Sequence, residues 1–265
     1  MSEDESNRSA KFDGQGVSIA YRDRPIVEDL DLPVPKCCFT ALVGPNGSGK
    51  STILRTFAGL MPLLRGSILL DGRSIATLGA REMARRVGVL LQGPVAPEGL
   101  TVRDLVQQGR YPHRSLFGRW SEADQAACDE ALRLTGTTTL AEVPLDTLSG
   151  GQRQRAWIAM TLAQQGEVLL LDEPTTYLDL AHQIELMNLI TVLVRNHRKT
   201  VVAVLHDLNQ AARYADHIVL LKDGRISAAG RPSDVISQQA IAEVFGVWSV
   251  VIRDPVAGTP LCVPL

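Results

Sequence analysis

The stretch CFTALVGPNGSGKST, residues 38–52, decides the fold of this chain. Its first six residues are apolar or β-branched, as in a strand that is buried on both faces. The next nine contain the eight-residue pattern GxxxxGK[ST], in which glycines allow backbone N–H groups to surround phosphate oxygens. A glycine-rich turn that matched by chance would lack both the strand before it and the helical STILRTFAGL after it. We therefore predict a phosphate loop within an α/β fold.

The loop itself supplies the first set of site residues. Lys50 is predicted to bridge the β- and γ-phosphates, and Ser51 is predicted to bind Mg²⁺. Both follow from the position of lysine and serine at the point where the loop enters the helix. The predicted nucleotide-binding residues of the loop are Gly44, Pro45, Asn46, Gly47, Ser48, Gly49, Lys50, Ser51 and Thr52.

Outward from the loop, short apolar runs alternate with helical patterns. The predicted strands are residues 17–21, 38–43, 66–75, 86–92, 167–171, 200–206 and 217–226. Several are apolar throughout, which indicates a largely parallel sheet covered by helices. Between Gln92 and Ser149 the pattern becomes helical, and Ser121 with Asp124 has the spacing of a capping box. The sequence predicts a helical insertion in an α/β core.

Polar side chains end or follow three of the predicted strands. VLLLDEP, residues 168–174, ends in Asp172, which can hold Mg²⁺, and Glu173, which can accept a proton from an attacking water. Gln92 and His206 are the last residues of two other predicted strands. Taken alone, each is equally well explained as a solvated strand end. Because the carboxyl ends of parallel strands share one edge, we expect the four to meet there.

Length and composition limit the possible classes of protein. The 265 residues suffice for one large domain, and a formal net charge of −2 gives no reason to expect a nucleic-acid partner. The four cysteines form no CxxC pair and are predicted to be reduced. No apolar run reaches the ~20 residues that cross a bilayer. Residues 1–12 are predicted to be a flexible tail, and residues 251–265 a C-terminal extension.

A second glycine motif, LSGGQ at residues 148–152, lacks the lysine of the phosphate loop. With that loop, Gln92, LLLDEP (169–174), YLD (177–179) and His206, it resembles the nucleotide-binding subunit of an ATP-binding cassette (ABC) transporter. The resemblance runs from about residue 21 to 230. It implies an ABC-type ATPase domain over residues 13–250, with a mixed core sheet, an N-terminal antiparallel β-subdomain and a helical subdomain at about 93–165.

The family resemblance also implies a role for LSGGQ. Two subunits dimerise head to tail, and the LSGGQ of one closes over the ATP held by the other. Gln92 is then expected to join Ser51 and Asp172 around Mg²⁺, and Tyr21 to stack on adenine. An N-cap turn without a ligand remains the alternative for Ser149, and an edge-strand aromatic for Tyr21. The nucleotide-binding residues implied outside the phosphate loop are Tyr21, Ser149, Gly150, Gly151, Gln152 and Asp179.

Three longer stretches of the sequence point to one branch of the family. TVRDLVQQGRYPH (101–113), LDEPTTYLDLAHQIELMNLI (171–190) and HDLNQAARYADHIVLLKDGRISAAG (206–230) are similar to ATPases of bacterial iron-chelate importers. The resemblance implies an ATPase that uses ATP and Mg²⁺ at the cytoplasmic face of the inner membrane. Its partners would be a second ATPase subunit, permease subunits and, through them, a substrate-binding protein. A haem or cobalamin importer, or a soluble accessory ATPase of metal-cluster assembly, remains an alternative.

One further expectation concerns the permease. In this family a cleft beside the Gln92 loop receives a short helix from the membrane partner. We expect residues 93–105, GPVAPEGLTVRDL, to form that contact, with Leu100 and Val102 as apolar contacts. Ordinary loop packing is the alternative explanation for these residues.

Overall fold

The computed structural model describes residues 10–21, 24–114 and 119–265. Its strands form three sheets. The strands are β1 (Ala10–Tyr21), β2 (Arg24–Pro35), β3 (Phe39–Val43), β4 (Arg65–Leu70), β5 (Arg73–Ser74), β6 (Val87–Leu90), β7 (Val168–Asp172), β8 (Thr200–Val204), β9 (His217–Lys222), β10 (Arg225–Gly230), β11 (Ser249–Arg253) and β12 (Pro260–Pro264).

The helices lie around these sheets. They are α1 (Lys50–Phe57), α2 (Ala80–Arg86), α3 (Val102–Gln108), α4 (Glu122–Leu134), α5 (Gly150–Ala163), α6 (Leu180–Arg195), α7 (Leu208–Tyr214), α8 (Pro232–Val235) and α9 (Gln238–Phe245). Within the described ranges, no helix is both long enough and apolar enough to cross a membrane. All four cysteines are free thiols.

The central sheet carries the strands that lead to the predicted site. Its order is β10-β9-β3-β8-β7-β6. Five of its strands are parallel, and β10 pairs antiparallel with β9. Every residue of β3, β7 and β8 is buried, as expected for strands covered on both faces. The predicted mixed α/β sheet is confirmed. β6 and β8 end at Leu90 and Val204, two residues before Gln92 and His206.

The N-terminal sheet is antiparallel, with the order β2-β1-β4-β5, which confirms the predicted antiparallel subdomain. Its inner face buries Phe12, whose ring meets Phe57 of α1 edge-on at 5.4 Å. Because β1 begins at Ala10 and Phe12 is fully buried, the predicted flexible tail is wrong for residues 10–12. Residues 1–9 lie outside the described residues.

A buried ion pair joins the described helices between Gln92 and Gly166, which also share the main hydrophobic core. Arg110 Nε donates to Asp124 Oδ1 at 2.9 Å, and Arg110 Nη1 donates to the carbonyl oxygen of Ala163 at 2.7 Å. Asp124 also completes the capping box with Ser121 that the sequence predicts at the start of α4. The guanidinium group thereby joins the end of α3 to both α4 and α5.

The predicted C-terminal extension, residues 251–265, forms most of an antiparallel hairpin. The hairpin consists of β11 and β12, and the predicted boundary at residue 251 falls inside β11. It packs on α7, where the side chain of Asn209 donates to the carbonyl oxygen of Cys262 at 2.9 Å and accepts from its N–H at 2.7 Å. These two bonds imitate the pairing of a neighbouring strand.

Candidate active site

The phosphate loop joins β3 to α1 and has a backbone that requires glycine. Gly47 and Gly49 have φ values of +80° and +95°, in the left-handed region that residues with a Cβ rarely adopt. A Cβ on Gly44 would lie 2.1 Å from the carbonyl oxygen of Leu221 in β9. The loop is therefore held tightly between the central strands, with its N–H groups gathered at the start of α1.

Lys50 is held inside this loop. Only 5% of it is exposed, and its Nζ donates to the carbonyl oxygens of Gly44 at 2.8 Å and Pro45 at 2.7 Å. Burial lowers the pKa of Lys50, while Glu173 and Asp172 act in the opposite direction. A cation with oxygen acceptors in a glycine-lined loop has the chemistry to bind phosphate oxygens.

Ser51 and Asp172 meet beside the loop. Ser51 Oγ donates to Asp172 Oδ1 at 2.7 Å, and Asp172 is 1% exposed at the end of β7. Arg55 Nη2 lies 3.5 Å from Asp172 Oδ2. A hydroxyl and a carboxylate are oxygen donors of the kind that Mg²⁺ prefers. In the described part of the chain, no three His, Cys, Asp or Glu side chains form a metal-binding group, so phosphates and water would complete any Mg²⁺ shell here.

Glu173 lies at the centre of the strand ends. Its Oε2 accepts from Gln92 Nε2 at 2.7 Å and from Thr176 Oγ1 at 3.2 Å, and its Oε1 lies 2.8 Å from His206 Nε2. The backbone of Glu173 has φ of +52°, which turns the chain sharply after β7. Side chains that follow β6, β7 and β8 therefore meet at one edge of the sheet, as the sequence predicts.

Lys50, Ser51 and Glu173 line a cavity of about 650 Å³. Tyr21, at the end of β1, is 57% exposed and lines it. Sequence reasoning missed several residues of this site: Arg24 and Asp223 in the cavity wall, Thr176 on Glu173, and Arg55 on Asp172. Arg55 had a detectable signal, because it lies one helical turn after Ser51. The cavity is lined by Tyr21, Arg24, Pro25, Ile26, Asn46, Gly47, Gly49, Lys50, Ser51, Thr52, Glu173 and Asp223.

The LSGGQ motif does not line this cavity. Ser149 caps α5 with a capping box, in which its Oγ accepts from the N–H of Gln152 at 3.3 Å, and Gln152 Oε1 accepts from the N–H of Ser149 at 3.0 Å. Ser149 and Gly150 are exposed. The capping interpretation of Ser149 thus describes the single subunit. It leaves an exposed helix start that lies outside the cavity of the chain's own phosphate loop.

The second glycine of the motif packs against α6. A Cβ on Gly151 would lie 2.2 Å from Cδ2 of His182. The His182 ring is itself fixed, because Nδ1 lies 2.7 Å from Oδ1 of Asp179, the N-cap residue of α6. The N–H of His182 donates to the Asp179 carboxylate and lowers the pKa of that group. Asp179, His182 and Gly151 therefore form one connected surface.

This fold and this cavity define a nucleotide-binding cassette, and comparison with known proteins agrees. The model of the ABC transporter family matches residues 27–176, which is more than half of the chain. The chain belongs to the ABC transporter family, and it is an ATPase that binds adenine nucleotides. Its relatives are ATP-binding proteins of transporters.

Two curated relatives are similar over nearly their whole length. The ferric enterobactin transport ATP-binding protein FepC of Escherichia coli (strain K12) is 48% identical over 97% of this chain and 94% of its own. The probable siderophore transport system ATP-binding protein YusV of Bacillus subtilis (strain 168) is 51% identical over 94% of this chain and 90% of its own.

Solved structures show the same fold. An ABC transporter assigned to the metal-chelate type, in an inward-facing conformation, matches with a TM-score of 0.84 at 26% identity, covering 97% of this chain and 98% of its own. The dimeric bacterial ABC transporter cassette MJ0796 matches with a TM-score of 0.73 at 27% identity, covering 83% and 98%.

The expected contacts with a permease need one correction. Val102 is fully buried in the first turn of α3, so it cannot meet a partner, and Leu100 packs partly against the main core. Val95 in the same loop is 89% exposed. The sequence did not reveal this difference, because an apolar residue at the start of a helix can face either the core or the solvent.

Proposed function

We propose that this chain is the ATP-hydrolysing subunit of an importer for a ferric siderophore or a related iron chelate. The names of its relatives at 48% and 51% identity support this substrate class. The observation that carries the ATPase chemistry is that Lys50, Ser51 and Glu173 line one cavity, with the Asp172 carboxylate bonded to Ser51 beside it. Substrate specificity itself would belong to the permease and to the substrate-binding protein that delivers the chelate to it.

Within this proposal, Lys50 and the loop N–H groups bind the β- and γ-phosphates. Ser51 and Asp172, with Gln92, hold Mg²⁺, which when bound neutralises charge on the phosphate oxygens. Tyr21 stacks on adenine from the end of β1. These groups orient the nucleotide and stabilise the charge that develops in phosphoryl transfer, which needs little covalent chemistry from the protein.

Glu173 serves as the general base in this mechanism. Its carboxylate is held by Gln92 and Thr176 on one oxygen and by His206 on the other. It accepts the proton of a water that attacks the γ-phosphate. His206, whose side chain is 45% exposed, orients the Glu173 carboxylate from the end of its strand and can contact the γ-phosphate there.

The exposed start of α5 completes the site from a second subunit. Ser149 and the N–H groups of Gly150 and Gly151 would bind the ATP of the partner subunit, with Asp179 at the seam, because a helix N-terminus favours anions. The resulting dimer is symmetric and has two identical composite sites. The dimeric cassette structure noted above supports this arrangement.

Trapping the nucleotide tests this function. Glu173→Gln keeps the size of the side chain but removes the base, so bound ATP persists and holds two subunits together. We expect the variant to elute as a dimer with Mg-ATP and as a monomer with ADP, with phosphate release reduced by about 10²–10⁴-fold. Glu243→Gln, an equal change on the exposed face of α9, is the control and should behave as the unmodified chain. Equal elution in both nucleotides would contradict the composite site.

The permease contact has a candidate groove of about 670 Å³. Leu60, 57% exposed, lines it together with Val87 and Val89 of β6. Since β6 leads directly to Gln92, a partner helix in this groove would be linked to the ATP site through one short strand. This is consistent with a peripheral position at the cytoplasmic face of the inner membrane.

A charged side chain in the groove tests the coupling. We expect Leu60→Glu to abolish uptake of the iron chelate by cells while the isolated subunit keeps its ATPase rate. Val192→Glu on α6, 39% exposed and outside the groove, should leave both unchanged. Parallel loss of ATPase and uptake in Leu60→Glu would show a folding defect, and full uptake would place the permease elsewhere.

A further inference from the structure

The C-terminal hairpin presents an outer face made only of apolar side chains. Val250 pairs with Val263 and Ile252 with Leu261 across the two strands. Side chains alternate along a strand, so these four share one face, while Val251 and Cys262 point inward and pack against the core. Val250, Ile252 and Val263 are 37%, 47% and 42% exposed.

The same face continues beyond the strands. The N–H of Leu265 donates to the carbonyl oxygen of Trp248 at 3.0 Å and extends the ladder by one step. Trp248 and Leu265 are 76% and 86% exposed. The six outward-facing positions of the hairpin, four on its strands and two just beyond them, are therefore all apolar. A half-buried antiparallel sheet normally alternates apolar with polar positions, so a solvent-facing side of this composition indicates a contact surface.

Two contacts place the open end of the hairpin at the ATP edge of the central sheet. Asn209, which binds Cys262, lies in the first turn of α7, three residues after His206. Lys222, at the carboxyl end of β9, donates from Nζ to the carbonyl oxygen of Glu243, near the end of α9. Both contacts lie beside the strand ends that hold the site, so Trp248, which follows α9, lies there too.

The turn of the hairpin points the other way. Asp254, at its start, lies 3.8 Å from Arg213, one helical turn further along α7 from Asn209. N–H groups of Ala257 and Val256 lower the pKa of Asp254 and fix the turn. The hairpin thus lies along α7. Its turn is at the far end from the ATP site, and its open end is at the edge where the second subunit binds in the proposed function.

We infer that the apolar face of this hairpin packs against the same face of a second copy of this chain, beside the ATP-bridged seam. The inference rests on the proposed dimer. A two-fold contact brings a patch against itself, so a patch without charge is complementary to its own copy. It also adjoins the edge at which the subunits meet, and an apolar centre of this kind is typical of homodimer contacts.

One matched pair of substitutions tests the contact in the Glu173→Gln chain. Val263→Glu places a charge on the apolar face, whereas Val256→Glu places it in the hairpin turn, where Val256 is 79% exposed. With Mg-ATP, we expect Val263→Glu to weaken the dimer at least about tenfold in sedimentation experiments, which equals about 1.4 kcal/mol. ATP binding per subunit and thermal unfolding should match the Val256→Glu chain. Equal dimer stability in the two chains would overturn the inference.

Charge reversal separates a direct contact from a local defect. Val263→Glu repels its own copy and Val263→Lys does the same, but a mixture of the two brings opposite charges together. We expect the mixture to dimerise more tightly than either variant alone. A mixture that is no better than its components would show that the two faces do not meet. If Glu173→Gln with an intact hairpin failed to dimerise with Mg-ATP, the proposed function itself would fail, and the hairpin contact with it.

Discussion

Lys50 is the residue whose environment most closely matches its proposed task. It is buried, it donates to carbonyl oxygens at 2.7 and 2.8 Å, and it lines the cavity. Charge-assisted hydrogen bonds contribute about 1.5–3 kcal/mol each. The binding of the phosphates therefore depends on this one ammonium group as well as on the backbone.

Removing that ammonium group gives the first prediction. We expect Lys50→Ala to raise the dissociation constant for ATP by about 10- to 100-fold, in line with the loss of one such bond, and to bring phosphate release to background. ATP titration and a phosphate-release assay measure the two effects. Lys36→Ala is the control, because Lys36 lies before β3, at the opposite end of that strand. Normal turnover in Lys50→Ala would refute the phosphate-binding role.

Gly151 and Gly150 lie side by side but should respond in opposite directions. A Cβ at Gly151 meets His182 at 2.2 Å, whereas at Gly150 the nearest atom is a carbonyl oxygen at 3.7 Å. We expect Gly151→Ala to lower the free energy of unfolding by about 1–3 kcal/mol through overpacking. Gly150→Ala should raise it by up to about 1 kcal/mol, because alanine favours a helix more than glycine does.

Urea unfolding measures both variants, and His182 supplies the internal check. His182→Ala removes the ring that the new methyl group would meet. In a chain that already carries His182→Ala, adding Gly151→Ala should therefore cost much less stability than it costs in the unmodified chain. Additive losses would show that the strain lies in the backbone of α5 rather than in this contact.

Among the elements, α3, α4 and α5 depend on the buried pair of Arg110 and Asp124. Burial raises the pKa of Asp124, but the hydrogen bonds from Ser121 and Arg110 outweigh it, and the pKa is lowered overall. A carboxyl whose folded pKa is lowered contributes stability above its unfolded pKa of about 4, and this stability is lost as the pH falls through the folded pKa.

The prediction at this scale concerns acid stability. We expect Asp124→Asn to cost about 3 kcal/mol at pH 7, since it leaves the buried guanidinium without its counter-charge. The difference from the unmodified chain should shrink as the pH falls below the unfolded pKa of about 4, and it should be smallest once the pH is below the lowered folded pKa of Asp124. Urea midpoints at several pH values measure this. Asp129→Asn on the exposed face of α4 should cost less than about 1 kcal/mol at any pH; a pH-independent loss in Asp124→Asn would show that its charge is not involved.

The sequence predicted elements well where they are apolar and poorly where they contain proline. The parallel strands were recognisable because every residue of β3, β7 and β8 is buried. β2 was missed because Pro25, Pro33 and Pro35 argue against a strand. Its place at the edge of the N-terminal sheet explains why they are tolerated, since an edge strand leaves half of its N–H groups unpaired. Pro260 and Pro264 concealed β12 in the same way.

The candidate site shows a similar division. Lys50 and Glu173 were predictable because each follows a strand in a short motif. His182 was not, because its importance comes from a contact with Gly151 that only the packed helices create. Arg55 was missed although its place one helical turn after Ser51 was a signal, because its contact with Asp172 forms only in the folded chain. Motifs identify the groups that act on a ligand, whereas the side chains that hold those groups come from distant segments.

For the whole molecule, the separation of the phosphate loop from Ser149 predicts complementation between two inactive chains. Ser149→Arg keeps its own loop, and Lys50→Ala keeps its own Ser149. A mixed dimer therefore contains one intact site and one doubly damaged site. With random assortment and independent sites, an equal mixture should regain about a quarter of the normal ATPase rate, because half of the dimers are mixed.

The control mixes two chains whose substitutions both damage the part of the site that each subunit provides for its own ATP. A mixture of Lys50→Ala with Glu173→Gln should stay inactive, because both residues line one subunit's own cavity. ATP binding by Ser149→Arg alone should also be normal. If Ser149→Arg abolished ATP binding by the single subunit, LSGGQ would serve its own chain's nucleotide and the head-to-tail dimer would be ruled out.

The order of the central strands also determines how late in translation the phosphate loop gains its neighbouring strands. β3 carries the phosphate loop, yet Phe39 pairs with Val201 and Thr40 with His217, so both neighbours of β3 are translated late. At 5–20 residues per second, the loop waits on the order of 10–30 seconds at the ribosome before residue 222 emerges and supports it. We therefore expect no ATP binding by chains that end before β9, so ATP should not assist the early folding of this chain.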